Sequence, residues 1–574
     1  MILRDYQLAC VKGNQAALLK DDAASALNVL PTGTGKTVAF SHLAAHWPYG
    51  RVLIAAHRDE LIRQAARTVE RITGIPPEIE KADERAGRHG ALATSRTVIT
   101  SVQTQNSGRK DEVGTILRRM ERFNPADFGL VVIDEAHRSC ATTYRRMIEF
   151  YQQNRECKVI GWTATPDRHD EQALGQVYDQ VAFEMQLPEA VKSGWLVRPT
   201  EQFVLVEGFD ISRVGTDYEG DLKATDLEAE LKGDRRRLQQ VAWPTIDVAG
   251  DRQGLVYVPG VESAHLLADI MNEHKAGCAA ALDGKSPQED RRRILRAFRR
   301  GEIQFLCNVE LFTEGFDHPG VSVLSIARPT KSRAKYSQMV GRGTRALPGV
   351  IESRQGDDFW RLEDPANRCQ AIAESAKPEC LILDFVGNAG RHALVSLGDI
   401  LGGSYDDKVV ERAKRNAKEK SGRGEAADMT RELEEAEEEI EREHHEQRKQ
   451  LLVKARYKLR NANAFDRLGI LAPREPGWHK GRRPSVKQRG VLERAGIPES
   501  ELDILSFVQA SRLIQEVIDR REKGLATFKQ VRVLERNGVV ETEAGRPVTE
   551  LRFEEASQEI DKLAKAQGWG SRPA

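Results

Sequence analysis

No apolar run in this chain of 574 residues approaches the roughly 18–20 residues that a membrane-spanning helix needs. The opening stretch MILRDYQLAC sets no basic segment ahead of an apolar one. Neither a membrane span nor a signal peptide is therefore expected, and a cytoplasmic location is. Cysteine is scarce and scattered, at positions 10, 140, 157, 278, 307, 369 and 380, with no CxxC pair. That spacing argues against a zinc ribbon or a disulfide framework and for isolated thiols in a reducing compartment. An excess of charge is missing too. Lysine plus arginine and aspartate plus glutamate each number 87. Any polyanion must then be met by local patches and not by a global basic field.

What is present is enough chain for three or four domains. From residue 27 to about 165, the short β-branched runs LNVLP, RVLIAAH, TVITSV, LVVIDE and KVIGWTAT alternate with helical segments. Continuous apolar runs of this kind suit parallel strands buried on both faces. The pattern restarts after about residue 200 with GLVYVPG, QFLCNV, SVLSIA and CLILDF, and residues 194–199 make a plausible join. The fold class expected is α/β, two tandem parallel-sheet domains at 1–198 and 199–392, followed by an all-α region. Residues 406–463 hold no proline and few glycines, so 393–475 reads as a long charged helical arm, acidic first and basic later, with apolar residues too sparse for a coiled coil.

The last segment, 476–574, contains a repeat. SVKQRGVLERAGI at 485–497 matches TFKQVRVLERNGV at 527–539, with seven of 13 positions identical. Ser485/Gln488 and Thr527/Gln530 carry the spacing of a capping box. Gly496 and Gly538 fall where a helix would end. Two tandem helical hairpins are expected. The neighbouring basic stretch HKGRRPSVKQR and Trp478 offer a surface for a nucleic-acid strand, or only a solvated linker.

Three motifs carry chemistry. LPTGTGKT at 30–37 sits between a short strand and a helix, the context a phosphate-binding loop requires. Within it Thr32, Gly33, Thr34 and Gly35 bring backbone amides to phosphate, Lys36 reaches the outer phosphates, and the Thr37 hydroxyl suits Mg²⁺. The strict pattern opens with glycine, where this chain has Leu30. In LVVIDEAHRS at 130–139, Asp134 ends a buried strand and is placed to hold Mg²⁺, Glu135 to orient or deprotonate a water, and His137 to pass a hydrogen bond toward TATP at 163–166. In QMVGRGTR at 338–345, Gln338, Arg342 and Arg345 fall at i, i+4 and i+7, one face of a helix. From a second domain the two arginines can stabilise a transferring phosphoryl group as catalytic fingers.

These motifs run in order with LRDYQ, IAAHRDEL, ITSVQT, WTATP, LVYVPGVESA and LFTEGFDHPGV across residues 3–345. In that combination the chain resembles a superfamily 2 helicase of the DEAH-box type, nearest to the RadD-like and XPB-like DNA helicases. The resemblance implies two RecA-like lobes, ATP and Mg²⁺ as cofactors, and DNA as partner. It makes Gln7 the adenine-reading residue with Arg4 nearby, and gives Thr163 and Thr165 coupling roles. Gly315 and Asp317 would touch nucleotide from the second lobe, while Arg58, Gln103, Thr104 and Thr313 would hold the DNA strand by its phosphates. A double-strand translocase of a larger assembly and an RNA helicase share the same motor and stay open. The chain lacks the cysteine-rich region that RadD-like proteins carry after the core. Whether the helical repeats take a protein partner, and what segment 353–379 does, the residues do not say.

Overall fold

In the computed structural model, residues 2–566 are described except 21–22, 57–58, 82–83, 88–94, 111–115, 165–173, 218–219, 285, 310–317, 356–357, 389–393, 403–404, 455–463, 469, 471, 474–480, 538, 540 and 543–545. Met1–Leu401 with Lys414–Thr430 form one compact unit, and Gly402–Ala413 with Arg431–Ala574 another.

The first unit is built on two parallel sheets. The first sheet runs Glu78–Glu80, Thr97–Ser101, Arg51–Ala56, Phe128–Asp134, Lys158–Thr163, Ser25–Val29 and Gln180–Glu184, and every pair in it is parallel. The second runs Arg198–Asp210, Glu379–Asn388, Val321–Ile326, Gln253–Tyr257, Phe305–Asn308 and Ala279–Leu282, again all parallel. The α/β expectation holds, and both sheets have RecA-like architecture. The apolar runs read from sequence became the central strands, because only a strand covered on both faces needs uninterrupted β-branched residues. The strand Phe128–Asp134 is buried along its whole length. Parallel registers also align strand ends: Val29 lies beside Thr163, and Asp134 beside Trp162. The motif residues therefore emerge at one edge of the sheet, where open α/β sheets bind ligands.

The charged arm differs from expectation. It is not one solvated helix but two, Asp407–Ser421 and Met429–Lys454, with residues 455–463 outside the described set. Gly422 and Gly424 separate them, Gly424 at φ +79°, a conformation that favours glycine and ends a helix. Nor are its apolar residues idle. Met429, Leu433, Ala436 and Ile440 are all buried, and their spacing of four, three and four residues makes one helical stripe. In the first unit, Ala427 exchanges both backbone hydrogen bonds with Glu201, at 2.9 and 2.7 Å.

In the second unit the repeat folds as paired helices, Val486–Ala495 with Phe507–Glu522 and Phe528–Arg536 with Phe553–Ala566. Both capping boxes form, Ser485 with Gln488 and Thr527 with Gln530. The glutamines do the same second job in each copy. Gln488 donates to Phe507 O and Ser511 Oγ, and Gln530 donates to Phe553 O and Ser557 Oγ. Gly496 ends its helix at φ +98°, whereas Gly538 lies outside the described residues, as does Trp478.

Candidate active site

The phosphate-loop motif begins where the strand Ser25–Val29 ends. Leu30 N donates to Thr163 O, so the loop leaves the sheet beside the last residue of the neighbouring strand. The loop then turns on two glycines, Gly33 at φ +94° and Gly35 at φ +80°, and Gly35 caps the helix Lys36–Ala45. Thr34 ties the turn by donating to Pro31 O at 2.7 Å. From the helix Asp5–Gln15, Tyr6 Oη and Gln7 Nε2 both donate to Thr34 O, at 2.5 and 3.0 Å. A Cβ on Gly35 would sit 2.7 Å from Gln7 Nε2. A side chain there would displace the Gln7 carboxamide and would be strained at φ +80°, so both the contact and the backbone favour glycine. The loop's amides and the start of the helix thus form a fixed concavity of the kind that accepts phosphate.

Asp134 and Glu135 close the next strand. Asp134 is 5% exposed and accepts Glu135 N at 3.0 Å. Glu135 stands at φ 53°, ψ 53°, and among the described residues no other non-glycine has a positive φ. Such backbone costs on the order of 1–3 kcal/mol and clusters where geometry serves a site. Burial opposes ionisation of Glu135, but Lys36, His137, Arg342 and Arg138 together hold its carboxyl below the usual range. It is therefore a carboxylate at neutral pH. His137 Nδ1 lies 3.4 Å from Glu135 Oε2 and 3.4 Å from Thr163 Oγ1. That places the imidazole between the carboxylate and the strand end.

The arginine motif arrives by a different geometry from the one expected. Its helix covers only Arg333–Val340, so Arg342 lies in the following turn and Arg345 in an isolated bridge with Leu196. Gln338, Arg342 and Arg345 do not share one helical face. Gln338 is buried inside the helix, away from the cavity wall. The helix stops at Val340, and at Gly341 and Gly343 beyond it the space is filled. A Cβ on Gly341 would collide with Thr32, and one on Gly343 with Cys380. The helix is anchored by Tyr336, whose hydroxyl lies 3.0 Å from both Glu201 and Asp384. One hydroxyl proton serves one carboxylate at a time, so the second bond requires a proton on the other carboxyl. Burial and mutual repulsion raise Glu201 to about 8, and burial raises Asp384 to about 7.

These elements meet around one cavity of about 920 Å³. Thr32, Gly33, Gly35, Lys36 and Thr37 line it from the phosphate loop, Asp134 and Glu135 from the neighbouring strand, and Arg4 and Gln7 from the first helix. Arg342 and Arg345 reach it from the second sheet's domain. Burial and the nearby charge of Arg4 pull the Arg345 guanidinium down to about 10, so the cavity holds positive charge that an anion would relieve. Thr34 and His137 stand behind the wall. Thr37 and Asp134 add hard oxygen donors to the same cavity, the ligand type that magnesium takes together with phosphate oxygens.

Sequence reasoning missed the far end of this cavity. Trp195, Ile351, Glu352, Phe359 and Arg361 line it, four of them from the strip around the unread segment 353–379, which forms the hairpin Glu352–Gln355 and Asp358–Arg361. No spacing rule flags them, although the cluster of aromatic and charged residues in FWRLED was a signal. Of the expected strand-contact residues, Gln103 is exposed and Thr104 half-buried on the helix Val102–Asn106, where Ser101 caps Thr104 N at 3.0 Å. Arg58, Thr165, Thr313, Gly315 and Asp317 lie outside the described residues.

Residues 1–168 match the family described as Type III restriction enzyme, res subunit, and residues 236–347 match the Helicase conserved C-terminal domain. The two matches fall one in each parallel-sheet domain. Among curated relatives, this chain is 27% identical over 441 residues to the "Putative ATP-dependent helicase IRC3" of Saccharomyces cerevisiae, covering 72% of the chain and 56% of that protein. It is 28% identical over 325 residues to a "51.5 kDa protein" of a Lactococcus phage, covering 55% of the chain and 61% of the relative. Among solved structures, the "ATP-dependent Type ISP restriction-modification enzyme LlaBIII bound to DNA" aligns at 14% identity and a TM-score of 0.45, over 100% of this chain and 44% of that one. The aligned parts thus cover a little more than half of the two curated relatives and less than half of the solved structure. Among the described residues, no helix is long and apolar enough to cross a membrane.

Proposed function

We propose that the chain is a nucleic-acid-stimulated ATP hydrolase that couples turnover to movement along and unwinding of DNA. We place it in the DEAH-type, RadD-like and XPB-like branch, acting in the cytoplasm in repair, recombination or replication. One observation carries the reading. Lys36, Thr37, Asp134 and Glu135 of the first lobe and Arg342 and Arg345 of the second line a single cavity. The loop amides and Lys36 bind the polyphosphate. Thr37 and Asp134 would hold magnesium, whose charge neutralises the phosphate oxygens. Glu135, ionised amid its cations, orients the attacking water and accepts its proton. Arg342 and Arg345 stabilise charge on the transferring group only while the lobes are closed, so turnover and lobe movement are linked. Gln103 and Thr104 contact strand phosphates without regard to base, as a motor on mixed sequence requires.

A second reading has its own support in the match of residues 1–168 to a restriction-enzyme subunit family: a duplex translocase that never parts the strands. Two assays separate them. A helicase releases the labelled strand of a forked duplex in an ATP-dependent way, while a translocase displaces only the third strand of a triplex. Displacement from a forked RNA duplex but not from DNA would overturn the substrate assignment.

A further inference from the structure

We infer that the hairpin Glu352–Gln355/Asp358–Arg361 completes the base end of the nucleotide cavity from the second lobe, and that Glu352 is the positioning residue that ties it to the base-reading segment of the first. The inference rests on the nucleotide reading above and extends it to residues that no motif marks.

Arg4 is the hinge of the argument. Its backbone N donates to Gln7 Oε1 at 3.0 Å, so it fixes the carboxamide expected to read the base. Its guanidinium reaches across to the hairpin, where Nη2 and Nε donate to Glu352 Oε1 at 2.7 and 3.1 Å. The other oxygen of Glu352 accepts Arg361 Nε at 2.8 Å, and Arg361 Nη1 donates to Leu3 O at 2.9 Å. Both strands of the hairpin therefore hold residues 3 and 4. The surface they enclose suits a flat, π-faced ligand. Trp195, 3% exposed, has the guanidiniums of Arg4 and Arg361 at 4.9 and 5.8 Å from its ring centre, and Arg361 also lies 4.9 Å over Phe359. Planar guanidiniums and aromatic rings both stack on a base. The lining at the phosphate end includes no aromatic ring, so the two ends are chemically distinct.

A ligand spanning both ends is a nucleoside triphosphate. Its base engages a wall made from both lobes, so the hairpin contributes to binding once the lobes close and to chemistry only through that closure. Removing the charge of Glu352 should weaken a ligand with a base and spare one without.

The test uses the full chain with two probes: a fluorescent N-methylanthraniloyl ATP, and inorganic tripolyphosphate in competition with it. For Glu352→Gln, the expected result is an ATP-analogue Kd raised about tenfold, tripolyphosphate affinity within twofold of wild type, and kcat at saturation within threefold. Phe359→Leu, which leaves every ion pair in place, should show the same split and keeps the test open if the first variant fails to fold. Equal weakening of both probes, or no weakening of the ATP analogue in either variant, would overturn the assignment. Failure of the nucleotide reading has a different signature. Wild type would then bind both probes no better than Lys36→Ala, and the hairpin assignment would fall with it.

Discussion

Glu135→Gln is the perturbation that isolates the chemistry from the fold. Gln matches Glu in shape, so the strained backbone at φ 53° and the packing around the 7%-exposed side chain are kept. What changes is charge. The carboxylate is held ionised against burial by Lys36, His137, Arg342 and Arg138, and Gln offers neither that charge nor a proton acceptor. Loss of a positioned general base lowers turnover by about 10²–10⁴-fold, or roughly 3–5 kcal/mol of barrier. Nucleotide binding should move the other way. With that carboxylate neutralised, the cationic cluster is free to attract the triphosphate more strongly. KM is therefore expected at or below the wild-type value, and ATP should raise the melting temperature of the variant more than that of wild type. The assay pairs steady-state turnover with a thermal scan at matched ATP. Turnover within threefold of wild type would refute the role of Glu135, and a smaller ATP-induced thermal shift in the variant would refute the electrostatic argument.

Arg342→Ala should lower kcat by about 10³-fold or more with KM changed far less, because a finger acts in the transition state; a rise in KM alone, in steady-state kinetics, would make it a binding residue. Glu201→Gln should flatten the pH dependence of stability. Unfolded, Glu201 titrates near the ordinary 4.5 and Asp384 near 3.8, whereas in the fold they are raised to about 8 and about 7. Between those limits the native state holds more protons, so stability falls as pH rises. Melting curves from pH 5 to 9 should show wild type losing ground to the variant at the alkaline end, and parallel curves would refute the shared proton. Gln488→Ala and Gln530→Ala each remove a capping box and two bridging hydrogen bonds, at about 1–2 kcal/mol each. Urea unfolding should find the two comparably destabilised, and a loss confined to one would mean that the copies are not equivalent.

Central strands and loop motifs were legible because local physics writes them into sequence. A strand buried on both faces shows as an unbroken apolar run, and a phosphate loop shows as glycines where only a positive φ fits. The edge strands Glu78–Glu80 and Gln180–Glu184 were not, since all of their residues but Glu80 are partly exposed and form no long apolar run. The same holds for the far end of the cavity. Arg4 and Glu352 are 348 residues apart, and no periodicity relates them. The arginine motif was read as a continuous helix from its spacing alone, while the helix ends after Val340. The change moves Gln338 into the interior and leaves both arginines at the cavity by a turn and a bridge. The charged arm misled for a related reason. Its buried apolar residues are sparse and include Ala413, Ala417 and Ala436, all fully buried, and alanine carries little weight in a hydrophobic pattern. The repeat read true because its signal is local, a Ser or Thr with Gln three residues on. One of the six positions that differ, Val486 for Phe528, is 89% exposed in the first copy and 3% in the second.

ATP hydrolysis by the purified full chain, measured with single-stranded DNA, duplex DNA, RNA or no nucleic acid, tests the central claim most directly. Low basal turnover raised at least about tenfold by single-stranded DNA, and abolished by Glu135→Gln, is the predicted result. Turnover that no nucleic acid changes, or none at all in magnesium and ATP, would contradict it.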